Sequence, residues 1–301
     1  MIARTSYADL PRPLVEELSE AGLDPRSVYE MVVAAFEEDL PDGAADVTSA
    51  ALPPMGHGTG DLAAREPGVV AGLGVAELAF RYALGDDVVV SDRLPDGTRV
   101  AAGDVVMRVT GPLSEVLTAE RTALNFASHL SGVATATAQW VAALEGTGAR
   151  VLDTRKTLPT YRALQKYAVR CGGGLNHRFS LADRAMVKDN HVVAAGGVVE
   201  AYRAVRAAAP DLRVEVEVTD LDQLRAVLDA GCTEVLLDNM PTETMAEAVR
   251  LTAGRATLEA SGGLTLDRAR EVAATGVDLI SVGALTHSVD VFDLGLDLHE
   301  G

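Results

Sequence analysis

RVEVEV (213–218), TEVLLD (233–238), ATLEA (256–260) and LISVG (279–283) are four short apolar runs, and amphipathic segments separate them. They recur about every 22 residues, at Val214, Val235, Thr257 and Leu279, the length that one strand, one turn and one helix need, so the spacing predicts repeated βα units. The intervening segments DLDQLRAVLDAG (220–231), TETMAEAVRLTAG (242–254) and TLDRAREVAATG (265–276) open on Asp or Thr and close on Gly. Asp and Thr side chains cap the free N–H groups at a helix start, and glycine takes the left-handed turn that ends a helix. Upstream, ARVLDT (149–154) and RAMVKD (184–189) read as two more strands of the series. Six strands predict a parallel α/β barrel that need not close fully; an open doubly wound sheet is the competing fold.

The polar residues favour the barrel. Arg155 and Lys156 follow VLDT, Lys188 follows AMV, Glu217 lies in VEVEV, Asp238 follows VLL, Ser261-Gly262-Gly263 follows LEA and Gly283 follows ISV. Barrel enzymes keep their chemistry at these C-terminal strand ends. Glu215 and Glu217 share one strand face by the period of two, with valines on the other. A carboxylate pair pointing into a barrel is costly to bury unless cations, metal or hydroxyls meet it. Glu217, nearer the rim, is the functional candidate and Glu215 the structural one. Glycines 262, 263 and 283 follow the last two strands, where barrels bind phosphate on backbone N–H groups.

Before the barrel the pattern changes. Residues 1 to about 45 read as helices: Pro11-Arg12-Pro13-Leu14 opens one, and Asp24-Pro25-Arg26 precedes SVYEMVVAAFEEDL (27–40). Residues 59–111 are short alternating segments with a turn at Asp96-Gly97, which predicts an antiparallel sheet with a helix near GVAELAFRYAL (74–84). DGTRVAAGDVVMRV (96–109) is similar to the strand pairs of lipoyl carriers, but no lysine precedes Lys156, which excludes covalent lipoyl or biotin attachment. A long helix starts at Ser114. The expected organisation is an N-terminal α+β sandwich-like domain over 1–120, a barrel over 121–287, and a tail, 288–301, returning to the first domain.

Charge narrows the function. With 301 residues, 48% of them hydrophobic, the chain can bury a sizeable core. A net charge of −18 disfavours nucleic acid and anionic membranes as partners. Yet residues 150–188 hold nine basic side chains against Asp153 and Asp183, including all three lysines, Lys156, Lys166 and Lys188. That pattern points to a small, focused anion site. The first thirty residues are acidic and lack the basic-then-apolar order of a signal peptide, and no long apolar run exists, so a cytoplasmic location is expected. Cys171 and Cys232 have no metal-ligand spacing and read as two small buried hydrophobes.

ERTALNF (120–126), SGVATAT (131–137), DTRKT (153–157), KYAVRCGGGLNHR (166–178), VKDNH (187–191), EVEV (215–218), LLDNM (236–240), EASGG (259–263) and SVGALTHS (281–288) together resemble the motif series of the quinolinate phosphoribosyltransferases. The resemblance implies that quinolinate and phosphoribosyl pyrophosphate give nicotinate mononucleotide, CO2 and pyrophosphate, in de novo NAD biosynthesis. It implies that Arg121, Arg155, His177, Arg178 and Lys188 hold the two carboxylates of quinolinate, with Arg121 supplied by the neighbouring subunit of a homodimer that could assemble further. Lys156 would contact the phosphates of phosphoribosyl pyrophosphate. Glu217 and Asp238 would face the ribose hydroxyls and Mg2+, directly or through water, and with Lys156 make the catalytic set. Ser261, Gly262, Gly263 and Gly283 would cradle the 5-phosphate. One departure stands out: Leu158-Pro159-Thr160-Tyr161 occupies a turn where the family leads us to expect glycine near Thr160 or Tyr161.

Two rivals remain at this level. A barrel aldolase would use Lys156 or Lys188 as a Schiff base. A non-catalytic anion-binding barrel would bind dicarboxylates without turnover. Within the family, relatives that accept another aromatic acid, including those associated with molybdenum transport, are the nearest alternative; a cation set for two carboxylates favours quinolinate over nicotinate.

Overall fold

The computed structural model describes residues 2–53 and 55–299. The chain divides into two compact units, one built from residues up to 135, 163–172 and from 289 onward, the other from 136–162 and 173–288.

The first unit begins with helices α1 (Arg12–Glu20), α2 (Pro25–Asp39) and α3 (Val47–Ala51). The Asp24 carboxylate caps α2 by accepting from the N–H groups of Arg26 and Ser27. There follow strands β1 (His57–Ala64) and β2 (Gly68–Val69), helix α4 (Leu73–Leu84), strands β3 (Val89–Ser91), β4 (Arg99–Val100) and β5 (Val105–Pro112), and the long helix α5 (Leu113–Ala143). Helix α4 is apolar on nearly every side and buried along its length. Its start is preceded by Gly72, whose missing side chain cannot cap it, so the cap comes from far along the chain. Asp96 accepts from the N–H groups of Gly72 (2.8 Å) and Leu73 (3.0 Å), and from the Tyr167 hydroxyl at 2.7 Å. The Asp96-Gly97 turn thus serves as turn and helix cap together.

In the second unit, strand β6 (Arg150–Leu152) comes first. After helix α6 (Arg162–Cys171), which belongs mostly to the first unit, the chain continues through β7 (Ala185–Val187), α7 (Asp189–Ala195), α8 (Val198–Ala208), β8 (Val214–Val218), α9 (Leu221–Asp229), β9 (Glu234–Asp238), α10 (Thr242–Thr252), β10 (Thr257–Ser261), α11 (Ala269–Ala273), β11 (Leu279–Ser281) and α12 (Ala284–His287). Finally β12 (Leu294–Leu298) returns to the first unit, where it pairs antiparallel with β1, Leu62 opposite Leu296. That unit's main sheet runs β12-β1-β5-β3, with antiparallel pairing throughout.

The six strands of the second unit form one parallel sheet in the order β6-β11-β10-β9-β8-β7. Each strand from β8 to β11 is laid beside its predecessor on the same side, and β6 completes the row beyond β11. A doubly wound sheet reverses direction midway; this one does not. Residues following both edge strands, Lys156 after β6 and Lys188 after β7, line one cavity, which requires the sheet to curl. The free edge of β6 is partly covered, since Leu175 accepts from the N–H of Asp153 (3.1 Å) and donates to Val151 (2.9 Å). The result is a six-stranded barrel with an open seam. Val214, Val216 and Val218 are buried on one face of β8, each worth about 1.5–3 kcal/mol, which turns Glu215 and Glu217 to the other.

Both cysteines are free thiols. Cys232 is buried as expected and Cys171 half-buried; burial pushes the Cys171 thiol up to about 12 and the Cys232 thiol up to about 11.

Candidate active site

A cavity of about 630 Å³ opens at the C-terminal ends of all six barrel strands. It brings together Arg155, Lys156, His177, Arg178, Lys188, Glu217, Asp238, Ser261, Gly262, Gly263 and Gly283. Arg121 does not line it; that side chain is exposed on α5, in the other unit.

Local hydrogen bonding fixes the cationic part. Asp153 ends the β6 run fully buried and accepts from the His177 N–H (2.8 Å) and from Nδ2 of Asn176 (2.6 Å). These bonds hold the Asn176-His177-Arg178 segment against the β6 loop. The His177 ring is engaged at both nitrogens. Nδ1 accepts the Arg178 N–H at 2.7 Å, and Nε2 lies 2.9 Å from Glu215 Oε2. A ring that accepts at Nδ1 must carry its proton on Nε2, so His177 donates to Glu215. Arg178 donates to the carbonyl of Arg184, and burial, then the nearby charge of Arg155, lowers its affinity for its proton. Nε of Arg155 is buried with no hydrogen-bond partner. Crowded cations with donors to spare suit a ligand carrying more than one negative charge.

Lys188 starts α7, its N–H donating to His191 Nδ1, while its Nζ lies 3.2 Å from Glu217 Oε2. Glu215 lies deeper, 3.2 Å from Arg184, which also pairs with Glu234. Burial alone would push the Glu215 carboxyl up, but the His177 hydrogen bond and the charge of Arg184 outweigh it and hold it below the usual range. Its structural assignment fits this network.

The glycine turns are shaped by close approach. Asn239 adopts a left-handed backbone, φ 52°, with its N–H on the Ser261 carbonyl (2.9 Å) and Nδ2 on Asp238 Oδ2 (3.0 Å). Its side chain lies so near Gly262, φ +99°, that an added Cβ would fall 2.3 Å from Oδ1. At Gly283 a Cβ would fall 3.0 Å from Lys156 Cδ. G262A should therefore displace Asn239 and distort the turn, costing about 1–3 kcal/mol. The expected result is a roughly 5- to 150-fold rise in KM for phosphoribosyl pyrophosphate, with quinolinate affinity unchanged by direct binding measurement.

At the departure in the β6 loop, Thr160 itself takes the left-handed conformation, φ +65°, that glycine would hold without strain. Its hydroxyl donates to the Pro159 carbonyl at 2.6 Å.

The sequence reading passed over Glu259, Asn239, Thr154 and His287, all of which line the cavity. Glu259 had a visible signal, a charge in the middle of an apolar strand. It is 1% exposed, and burial, followed by the charge of Glu215, holds its carboxyl well above the usual glutamate range. A raised carboxyl contributes its stability fully below the unfolded pKa and loses it as pH rises toward the folded one. E259Q should therefore gain thermal stability over the unmodified protein as pH rises from 5 to 8. Melting curves across that range check it; an equal difference at every pH would contradict it.

Among the described residues, no helix is long and apolar enough to cross a membrane. The model for the quinolinate phosphoribosyl transferase N-terminal domain matches residues 46–131, and that for the C-terminal domain residues 133–297. The chain is 50% identical over 285 residues to the carboxylating nicotinate-nucleotide pyrophosphorylase of Mycobacterium leprae, covering 93% of this chain and all of that one. It is 38% identical to the human protein of the same name, over 92% and 93% of the two chains. The structure resembles the nicotinate-nucleotide pyrophosphorylase of Francisella tularensis with a TM-score of 0.87 at 36% identity, covering 91% of this chain and 96% of that one. NadC from Streptococcus pyogenes gives 0.86 at 39% identity, over 92% and 99%.

Proposed function

The chain belongs to the quinolinate phosphoribosyltransferase family and is a carboxylating nicotinate-nucleotide diphosphorylase of NAD synthesis; from that premise we propose how its residues divide the work. Quinolinate and phosphoribosyl pyrophosphate are the substrates, and nicotinate mononucleotide, CO2 and pyrophosphate the products. The observation that carries the assignment is the cavity itself. One space holds a crowded cation group, Arg155, Arg178 and Lys188, with His177 beside it, together with the glycine turns that follow β10 and β11.

The guanidinium forks of Arg155 and Arg178 and the Lys188 ammonium hold the carboxylates of quinolinate. His177 supports them through its bonds to Asp153 and to the Arg178 N–H. Gly262, Gly263 and Gly283, with Ser261, receive the 5-phosphate, and Lys156 the pyrophosphate. As pyrophosphate departs, positive charge grows on the anomeric carbon of the ribose, and the carboxylates of Glu217 and Asp238 stabilise it. The pyridine nitrogen bonds to that carbon. The ring nitrogen becomes cationic, so the neighbouring carboxylate leaves as CO2, its electron pair stabilised beside N+.

Glu217 and Asp238 also offer the hard oxygen ligands that Mg2+ takes, one or two carboxylates beside substrate phosphates. When bound, Mg2+ would neutralise the departing pyrophosphate. The aldolase alternative is disfavoured by the same geometry. Lys188 is held as the counter-ion of Glu217 and Lys156 is exposed, so neither is a desolvated amine. The net charge of −18 is the ground for proposing a cytoplasmic enzyme that works on small anions and not on nucleic acid or membranes.

We assign Arg121 to the neighbouring subunit's cavity in a homodimer. Its exposure on α5 and its absence from the cavity of its own chain support this. At quinolinate well below KM, R121A and R155A should each be strongly impaired alone, and mixing them under subunit exchange should restore up to about a quarter of the activity, since one site in four then carries both arginines. No recovery in demonstrated mixed dimers would place Arg121 elsewhere.

A further inference from the structure

Glu259 has no part in the substrate assignments above, on which the following reading rests. It lies in β10, lines the cavity, and is 1% exposed. Neither of its carboxyl oxygens has a donor at full hydrogen-bond geometry, although the Ser281 hydroxyl lies close enough to favour its ionised form. Its polar and charged neighbours are His177 Nε2, at 3.6 Å, the carboxylate of Glu215, the Ser281 hydroxyl and the Arg184 guanidinium; ligand-capable atoms of Glu259, His177 and Glu215 lie within 4.8 Å of one another. Two ionised carboxylates facing each other in a buried space are strongly unfavourable unless each has its own counter-charge or donor. A cation or a proton must relieve them.

The chemistry of His177 decides between these. A metal ion at Nε2 would need the ring proton on Nδ1, but Nδ1 already accepts the Arg178 N–H at 2.7 Å. Both nitrogens cannot be acceptors in a neutral imidazole. Glu215 is meanwhile neutralised by Arg184, 3.2 Å away, and receives the His177 proton donor at 2.9 Å. A proton on Glu259 resolves the rest: the carboxyl then has a donor of its own, directed to Glu215. As a neutral acid it also does not repel the dianion that the cavity collects.

The reaction requires one proton that the substrates do not carry. When the bond from ring carbon to carboxylate breaks, CO2 departs and the electron pair stays on the carbon beside N+. A C–H bond must form there. We infer that Glu259 is the acid that delivers this proton, its O–H bond breaking and the C–H bond forming while the C–C bond to the departing CO2 breaks, so that CO2 release depends on it. Glu259 is left as a carboxylate and takes a proton from water after the products leave. Glu215 stays ionised throughout.

The test is a single-turnover quench with labelled quinolinate, phosphoribosyl pyrophosphate and Mg2+, following pyrophosphate and CO2 separately. In E259Q, pyrophosphate should appear within about threefold of the unmodified rate while CO2 forms at least about tenfold more slowly, and phosphoribosyl quinolinate accumulates. E259D keeps the acid but withdraws it by one methylene, so it should show the same split to a smaller extent; it carries the test should E259Q not fold. Pyrophosphate and CO2 slowed in step, or neither slowed, overturns the assignment, as does an infrared spectrum showing Glu259 ionised at neutral pH. Absence of pyrophosphate from the unmodified enzyme with quinolinate would overturn the substrate reading instead.

Discussion

Arg155→Ala should lower kcat/KM for quinolinate by roughly 30- to 5,000-fold. Removing one member of a desolvated charge pair costs about 2–5 kcal/mol, and each 1.4 kcal/mol is tenfold. Arg155 is exposed to the full effect for two reasons. It lines the cavity, and its buried Nε has no partner in the protein, so the ligand supplies what the fold leaves out. The loss should fall mainly on KM for quinolinate, with affinity for phosphoribosyl pyrophosphate changed little. Arg155→Lys should recover only part, because an ammonium is a point charge and cannot make the bidentate contact of a guanidinium. Steady-state kinetics with each substrate varied in turn separate these effects; a rise in KM for phosphoribosyl pyrophosphate alone would move Arg155 to the other substrate.

Glu217→Gln should reduce kcat by about 100- to 1,000-fold, the usual cost of removing one group aimed at transition-state charge. The amide keeps the shape but loses the negative charge that the anomeric carbon needs as pyrophosphate leaves. It also releases Lys188, which the carboxylate holds at 3.2 Å. A freed Lys188 binds a carboxylate at least as well as a paired one, so quinolinate should bind with equal or higher affinity while turnover collapses. A variant that loses quinolinate binding and keeps kcat would show instead that Glu217 serves only to place Lys188.

The barrel was legible because its signals are local. A strand, a capped helix and a terminal glycine fall within each repeat of about 22 residues, and the rim residues sit at the strand ends where period two and the caps place them. Glu217, Asp238 and the Ser261-Gly262-Gly263 turn could be found in that way. What escaped depends on partners distant in sequence. Asp96 reads as a turn residue, and nothing near it shows that it caps α4 and binds Tyr167, 71 residues away. Asn239 reads as one polar residue within LLDNM, yet it fixes why residue 262 has no side chain. Glu259 is a visible oddity in ATLEA, but what raises its carboxyl, burial and then the approach of Glu215, 44 residues earlier in the chain, is not written near it. At Thr160 the backbone holds a threonine at positive φ, a property that the residue type alone does not state.

The central claim is that this cavity joins quinolinate to phosphoribosyl pyrophosphate and expels CO2. Purified protein with both substrates and Mg2+, assayed for nicotinate mononucleotide and CO2 together and with nicotinate as the control acid, tests it most directly. The account predicts equal amounts of both products from quinolinate and neither from nicotinate. Turnover of nicotinate, or mononucleotide formed from quinolinate without matching CO2, would contradict it.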